Sequence, residues 1–329
     1  MSTLVTPTDG HGGKAKILDS GSGSSSRSFA GRVAHFWSVL NPLNCLASND
    51  ELEAAKSLLT TEPKDDVLRS DEFQRAATLY ESAYHPDTGE RIHLVGRMCF
   101  QAPGCAVLAA SMLAFHSSLP LTLGLQWANQ SFMAMCNYSN RNAADERSRA
   151  DASVLPAYLS ATFGSMLTAW SLKKMLPKRY SVLVPAASIS VASLVNVPCM
   201  RSEELLSGLV VEDSAGHVLD TKSHLAACFA VAAVTTSRIL NGCADLVVAP
   251  AVVGLARLRG YKWAKSTNPA VTVPLYTTLC FATLSISTPV TSAIAPQRAS
   301  LSAKWLSDDI NRELVSKDAQ PVVYFNKGL

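Results

Sequence analysis

Five long stretches of this 329-residue chain carry little or no formal charge, and they constrain its fold more than any other feature. Residues 98–125 hold no Asp, Glu, Lys or Arg, with only neutral His116 among them. Residues 152–172 and 180–200 give 21 uncharged residues each, about one bilayer thickness at helical rise. Residues 225–256 form a longer apolar tract interrupted by Arg238, Asn241, Gly242, Asp245 and Pro250. Residues 266–297 are again uncharged but rich in Ser and Thr, with Pro269, Pro274, Pro289 and Pro296. Prolines within spans point to kinked or discontinuous helices. The competing reading is a soluble protein with buried core helices. Charge-free tracts separated by short charged islands favour the bilayer, and small residues such as Ser160, Ala161, Gly164, Ser165 and Ala169 suit close helix packing there. The fold class is therefore all-α, a polytopic helical membrane protein of about five spans with a small helical extramembrane region at its N-terminus.

Charged residues make up 17% of the chain and crowd its first hundred positions. Residues 1–25 are Gly/Ser-rich and lack the apolar segment of a secretory signal, so they read as a disordered tail. Residues 26–97 read as the extramembrane region. Ser48 or Asn49 caps a helix with Leu52, Ala55, Leu58 and Leu59 along one face, and Lys64, Asp65 and Asp66 link it to a second with Phe73, Ala76, Leu79 and Tyr80. Residues 98–297 form the membrane domain and residues 298–329 a C-terminal tail. Loop charges group Lys173, Lys174, Lys178 and Arg179 with Arg257, Arg259, Lys262, Lys265 and the N-terminal region on the positive side, with the C-terminus across the membrane. The net charge of +3, without a basic patch interleaved with aromatics, gives no reason to expect nucleic acid. The eight cysteines are scattered without a CxxC pair, which argues against a disulfide framework and a metal cluster, and no cofactor motif is present.

Within this frame the polar residues mark the candidate sites. Residues 126–142, QWANQSFMAMCNYSNRN, follow an uncharged run yet are dense in side-chain amides. On a helix Gln126, Gln130, Met133, Asn137 and Arg141 share one side, with Asn129 and Asn140 adjacent. Amides are costly in hydrocarbon unless they find partners or line a wet cavity, so this face is either the wall of a route for a small polar solute or glue between helices. The turn His85-Pro86-Asp87-Thr88-Gly89-Glu90 is either a rigid turn before the membrane or a gate that uses His85, Asp87, Thr88 and Glu90. Asn196 closes the third tract, just before Arg201 and Glu204. Arg238 lies inside a span and requires a partner. Asp245, two helical turns on, shares its face, so the two form an intramembrane ion pair, or Arg238 anchors a substrate carboxylate.

Several strings together resemble the sideroflexins, multispan transporters of the mitochondrial inner membrane. They include FAGRVAHF at 29–36, LEAAKSLL at 52–59, LYESAYHPDTGE at 79–90 and GRMCFQAPG at 96–104. QWANQSF at 126–132, NYSNRNAA at 137–144, VNVPCMRSEEL at 195–205, SRIL at 237–240 and the terminal VYFNKGL continue the pattern. The resemblance implies insertion without a cleaved presequence and import of serine, with other small neutral amino acids, to supply one-carbon metabolism. It also carries an indirect link to iron and haem balance. The chain departs from the pattern where it has Met133 in place of a further Asn, and Ala244 and Asp245 in place of Pro-Gly. On that reading a zwitterion meets Arg238 or a helix N-terminus with its carboxylate. Backbone carbonyls or Glu204 receive its ammonium, and Asn129, Gln130, Asn137 or Asn196 its hydroxyl. The expected partners are this amino acid and the lipid bilayer. The alternative reading is a membrane scaffold in contact with respiratory-chain proteins.

Overall fold

The structure is a computed structural model and describes residues 28–60, 70–85, 88–140, 147–296, 298–317 and 319–327. The expected tail at 1–25, the link at 64–66, and Asp87, Arg141 and Asn142 lie outside the described residues. Among those described there are eleven α-helices and one short two-stranded sheet.

The N-terminal region forms where the caps require it. Ser28 accepts from the Gly31 amide and opens α1 (Phe29–Val39). Ser48 and Glu51 exchange hydrogen bonds in a capping box at the start of α2 (Asn49–Thr60). Ser70 caps α3 (Asp71–Ala83) through the Phe73 amide. Leu52 and Ala55 then bury against Ala76, Leu79 and Tyr84, so the two apolar stripes face each other. After α3 the chain makes a tight turn. The His85 amide donates to the Glu90 carbonyl, the Thr88 amide to His85 Nδ1, the Glu90 amide to Thr88 Oγ1, and Gly89 supplies φ +64°. Lys56 straps this turn to α2 through the Gly89 carbonyl at 3.1 Å.

Six helices make up the bundle. They are α4 (Gln101–Ala114), α5 (Leu119–Ser139), α6 (Arg147–Met175), α7 (Val184–Met200), α9 (His224–Leu258) and α10 (Pro269–Ala293), with the short α8 (Ser202–Ser207) after α7. Three segments are long and apolar enough to cross a membrane: Tyr180–Met200, which is α7 with the turn before it, α9 and α10. Large apolar side chains point away from the protein, as with Leu155, Leu159, Phe163 and Leu167 at successive turns of α6. Such a stripe is stable only against lipid or another protein surface.

Four expectations change. The uncharged tract 98–125 is not one span but a hairpin, broken at Phe115–Ser118 where Leu119-Pro120 starts the next helix. Prolines do not interrupt the spans either: α9 runs through Pro250, and α10 through Pro274 and Pro289. Hydroxyls and neighbouring helices in a bundle can take over carbonyls that proline leaves unpaired.

The hairpin also changes the topology. Asn140, at the end of α5, bonds the Gly96 carbonyl ahead of α4, and α7 and α10 end beside the same C-terminal residues. With six up-and-down helices, the N-terminal region shares one end of the bundle with the C-terminal segment. The loops bearing Lys173, Lys174, Lys178, Arg257, Arg259, Lys262 and Lys265 occupy the other. The loop-charge argument that grouped the N-terminus with those loops and sent the C-terminus across the membrane therefore fails.

The segment at 298–327, expected as a tail, is a folded cap. Strands β1 (Arg298–Ser302) and β2 (Val322–Asn326) pair antiparallel around α11 (Asp308–Ser316). Val211, Leu219, Ile310, Leu314, Val323 and Phe325 form its core with the segment after α8. Lys327 is buried and donates to the Ser292 and Ala295 carbonyls at 2.8 Å each, while Arg32 of α1 donates to the Ala293 carbonyl at 3.0 Å. Cations thus satisfy the carbonyls that α10 leaves open at its C-terminus.

Candidate functional site: a polar cavity between five helices

A partly open space of about 90 Å³ lies among the bundle helices, room for several waters or one comparably small molecule. Five helices supply its walls at one-face spacing. Gln101, Cys105 and Ala109 come from α4, and Asn129, Gln130 and Met133 from α5. Ile189, Ala192, Ser193 and Asn196 come from α7, with Leu284 from α10. The long α9 contributes Arg238, Asn241, Gly242 and Asp245.

Two glycines let these walls approach. A Cβ on Gly242 would stand 2.8 Å from Ile189 Cγ2, and one on Gly104 would stand 2.5 Å from the Phe132 ring. Asn241 joins α9 to α10, accepting from Ser287 Oγ at 2.7 Å and Thr288 Oγ1 at 3.2 Å. The polar groups facing the space are less satisfied. Asn196 Oδ1 is buried with no hydrogen-bond partner. Arg238, near the middle of α9, makes no hydrogen bond or ion pair with any described residue. Asp245 accepts from the Leu246 amide at 2.9 Å, and no cationic group lies within bonding distance of it among the described residues.

The amide helix divides in two. Asn129 and Gln130 line the cavity. On the same face Gln126 lies about 6 Å to one side of Gln130, and Asn137 about 10.5 Å to the other. Among the described residues Gln126 Nε2 reaches only the Met112 sulfur, and Gln126 Oε1 and Asn137 Nδ2 have no partner. Asn140 is different: its amide donates to the Gly96 and Cys136 carbonyls at 2.7 Å each, so it is glue between helices and does not line the cavity.

Other expected residues lie elsewhere. Glu204 receives Arg201, whose guanidinium also reaches the Lys327 carbonyl, so this carboxylate is an anchor at the bundle end and is not part of the cavity wall. His85, Thr88 and Glu90 belong to the rigid turn and do not line the cavity. The direct ion pair between Arg238 and Asp245 does not form. Seven residues of helix separate their backbones by about 10.5 Å along the axis, so sharing a face does not make them touch. Gln101, Ser193 and Asn241 were not singled out as wall residues. Gln101 is the first amide of the first uncharged tract, and Asn241 is the amide nearest Arg238 on the same helix, which is the signal each offered. Among the described residues no three His, Cys, Asp or Glu side chains gather as metal ligands.

A multi-pass helical membrane protein with a small, partly unsatisfied polar chamber between its helices is the class that this architecture defines. Its relatives narrow that class. The sideroflexin family model matches residues 25–329, and the chain belongs to the sideroflexins. It is 34% identical over 313 residues to Sideroflexin-1.1 of Caenorhabditis elegans, covering 92% of this chain and 93% of that protein. It is 35% identical over 310 residues to Sideroflexin-2 of Mus musculus, and 35% over 313 residues to Sideroflexin-3 of Rattus norvegicus, each covering 92% of this chain and 94% of the relative. No solved structure matches the chain.

Proposed function

We propose that this sideroflexin carries small neutral amino acids, serine foremost, across the mitochondrial inner membrane to supply one-carbon metabolism. The observation that carries the reading is the unpaired Arg238 in a cavity of unsatisfied amides. A guanidinium left without a partner in such a space is costly unless water or a solute completes it. Its fork matches a carboxylate through two charged hydrogen bonds. Asn129, Gln130 and Asn196 offer both donors and acceptors, which suits a hydroxyl that must give and receive. Gln126 and Asn137 extend this polar line along α5 beyond the cavity, so a solute leaving it meets further amides before bare hydrocarbon. No step of covalent chemistry is required of any of these groups; each only replaces water around the solute as it passes.

The experiment is uptake of radiolabelled serine into proteoliposomes containing the purified protein. Uptake well above empty vesicles, lost in Asn129→Ala and Asn196→Ala, is expected. Uptake equal to empty vesicles refutes the proposal, and unchanged uptake in both variants removes the cavity from the route.

A further inference from the structure

The two ionic groups of the cavity stand on one face of α9 and do not reach each other. Between them along that face lie Asn241, whose amide oxygen is turned to Ser287 and Thr288, and Gly242, which has no side chain. The gap between guanidinium and carboxylate therefore opens onto the cavity rather than being filled by protein. Two other elements come up to Asp245: α4 brings Cys105, and α10 brings Cys280, whose thiol points to the Asp245 backbone carbonyl. None of these is a cation. One carboxylate oxygen of Asp245 is held by the Leu246 amide, and the other has no donor among the described residues.

An isolated charge buried at this depth is destabilising, and two opposite charges that miss each other are two such costs. A molecule carrying an ammonium and a carboxylate on one carbon cancels both at once, bridging the gap with two short ion pairs. A monocarboxylate would satisfy Arg238 and face Asp245 with like charge. A simple amine would satisfy Asp245 and leave Arg238 bare. We propose that Asp245 receives the α-ammonium group while Arg238 takes the α-carboxylate, so that the pair selects zwitterionic α-amino acids. This rests on the carrier reading above and adds to it the residue that tells an amino acid from its deaminated analogue. Selection against either half-charged analogue arises because each leaves one buried group uncompensated.

The test uses the full-length protein in liposomes with labelled serine and labelled 3-hydroxypropionate, which differs from serine only in lacking the amino group. The wild type is expected to favour serine by about 100-fold, the scale set by losing charged hydrogen bonds. Asp245→Asn is expected to lower serine uptake by a similar factor and to raise that of the hydroxy acid, bringing the two within about fivefold. Asp245→Glu keeps the charge and should keep the preference. Competition with the unaltered protein needs no variant: alanine should block serine uptake, while 3-hydroxypropionate and ethanolamine should not. Wild-type uptake of serine with undiminished discrimination in Asp245→Asn overturns this inference and leaves the carrier reading standing. Equal competition by the half-charged analogues does the same. Absence of wild-type serine uptake refutes the carrier reading itself.

Discussion

Replacing Arg238 with Met separates a transport role from a structural one, because the two predict opposite changes in stability. The guanidinium has no partner among the described residues, so its removal breaks no hydrogen bond or ion pair with them. Met retains much of the aliphatic volume against the cavity wall. Deleting an uncompensated cation from a poorly solvated site relieves a cost, and the melting temperature should stay the same or rise. Transport should change in the other direction. A forked guanidinium–carboxylate contact contains two charged hydrogen bonds, each worth about 1.5–3 kcal/mol. Ordering the solute offsets part of that, and a loss of about 3 kcal/mol corresponds to roughly 100-fold in the efficiency of serine uptake. The assay pairs initial rates in proteoliposomes with thermal unfolding of the same preparation in detergent. Uptake within about threefold of the wild type, or a melting temperature lower by several degrees, would refute the reasoning, the second by showing that Arg238 holds the bundle together.

Three further outcomes follow from contacts outside the solute's path or at its wall. Asn140→Ala should cost about 1–3 kcal/mol by leaving the Gly96 and Cys136 carbonyls unpaired, while serine uptake per folded molecule stays unchanged; a loss of transport at full stability would show that Asn140 is more than glue. Gly242→Ala should lower stability by about 1–3 kcal/mol through its collision with Ile189, and adding Ile189→Ala should recover part of it; a double variant no better than the single one would contradict the packing described. Burial, with Arg32 nearby, pulls Lys327 down to about 8 from 10.5. The unfolded chain then binds more protons than the folded one between those two values, so this group adds stability as pH rises through about 8 to 10.5, by at most about 3 kcal/mol. The melting temperature of the wild type should gain on that of Lys327→Met across the window, and a difference that does not vary with pH would rule this out.

The helical layout was legible in the sequence because lack of charge over about 20 residues is a demand of the bilayer rather than a local preference. The same criterion is blind to a turn made of uncharged residues. His116, Ser117 and Ser118 before Leu119-Pro120 break the first tract, and a count of charges passes over them. That one turn alters the parity of the passes, so the grouping of loop charges failed with it. Of the kinked or discontinuous helices that the prolines suggested, the discontinuous alternative falls, since a helix surrounded by other helices can satisfy freed carbonyls. In the cavity, Asn129, Gln130, Asn196 and Arg238 stood out as amides and a cation where hydrocarbon was expected, and periodicity placed them on helix faces. Periodicity does not say which faces meet. It could not separate Asn140, held by backbone carbonyls, from Asn129, or show that Arg238 and Asp245 share a cavity without touching. The terminal cap was read as a tail because its two strands are five residues each, and they pair across a helix rather than through a local turn.

That cap gives the last residues of the chain a task beyond their number. Lys327 and Arg32, 295 residues apart in sequence, hold the same end of α10. The latch is thus tied between two segments that flank every helix of the bundle in sequence. Loss of Lys327 would leave the Ser292 and Ala295 carbonyls without that donor while Arg32 still holds the Ala293 carbonyl, so the helix end would be half released rather than freed.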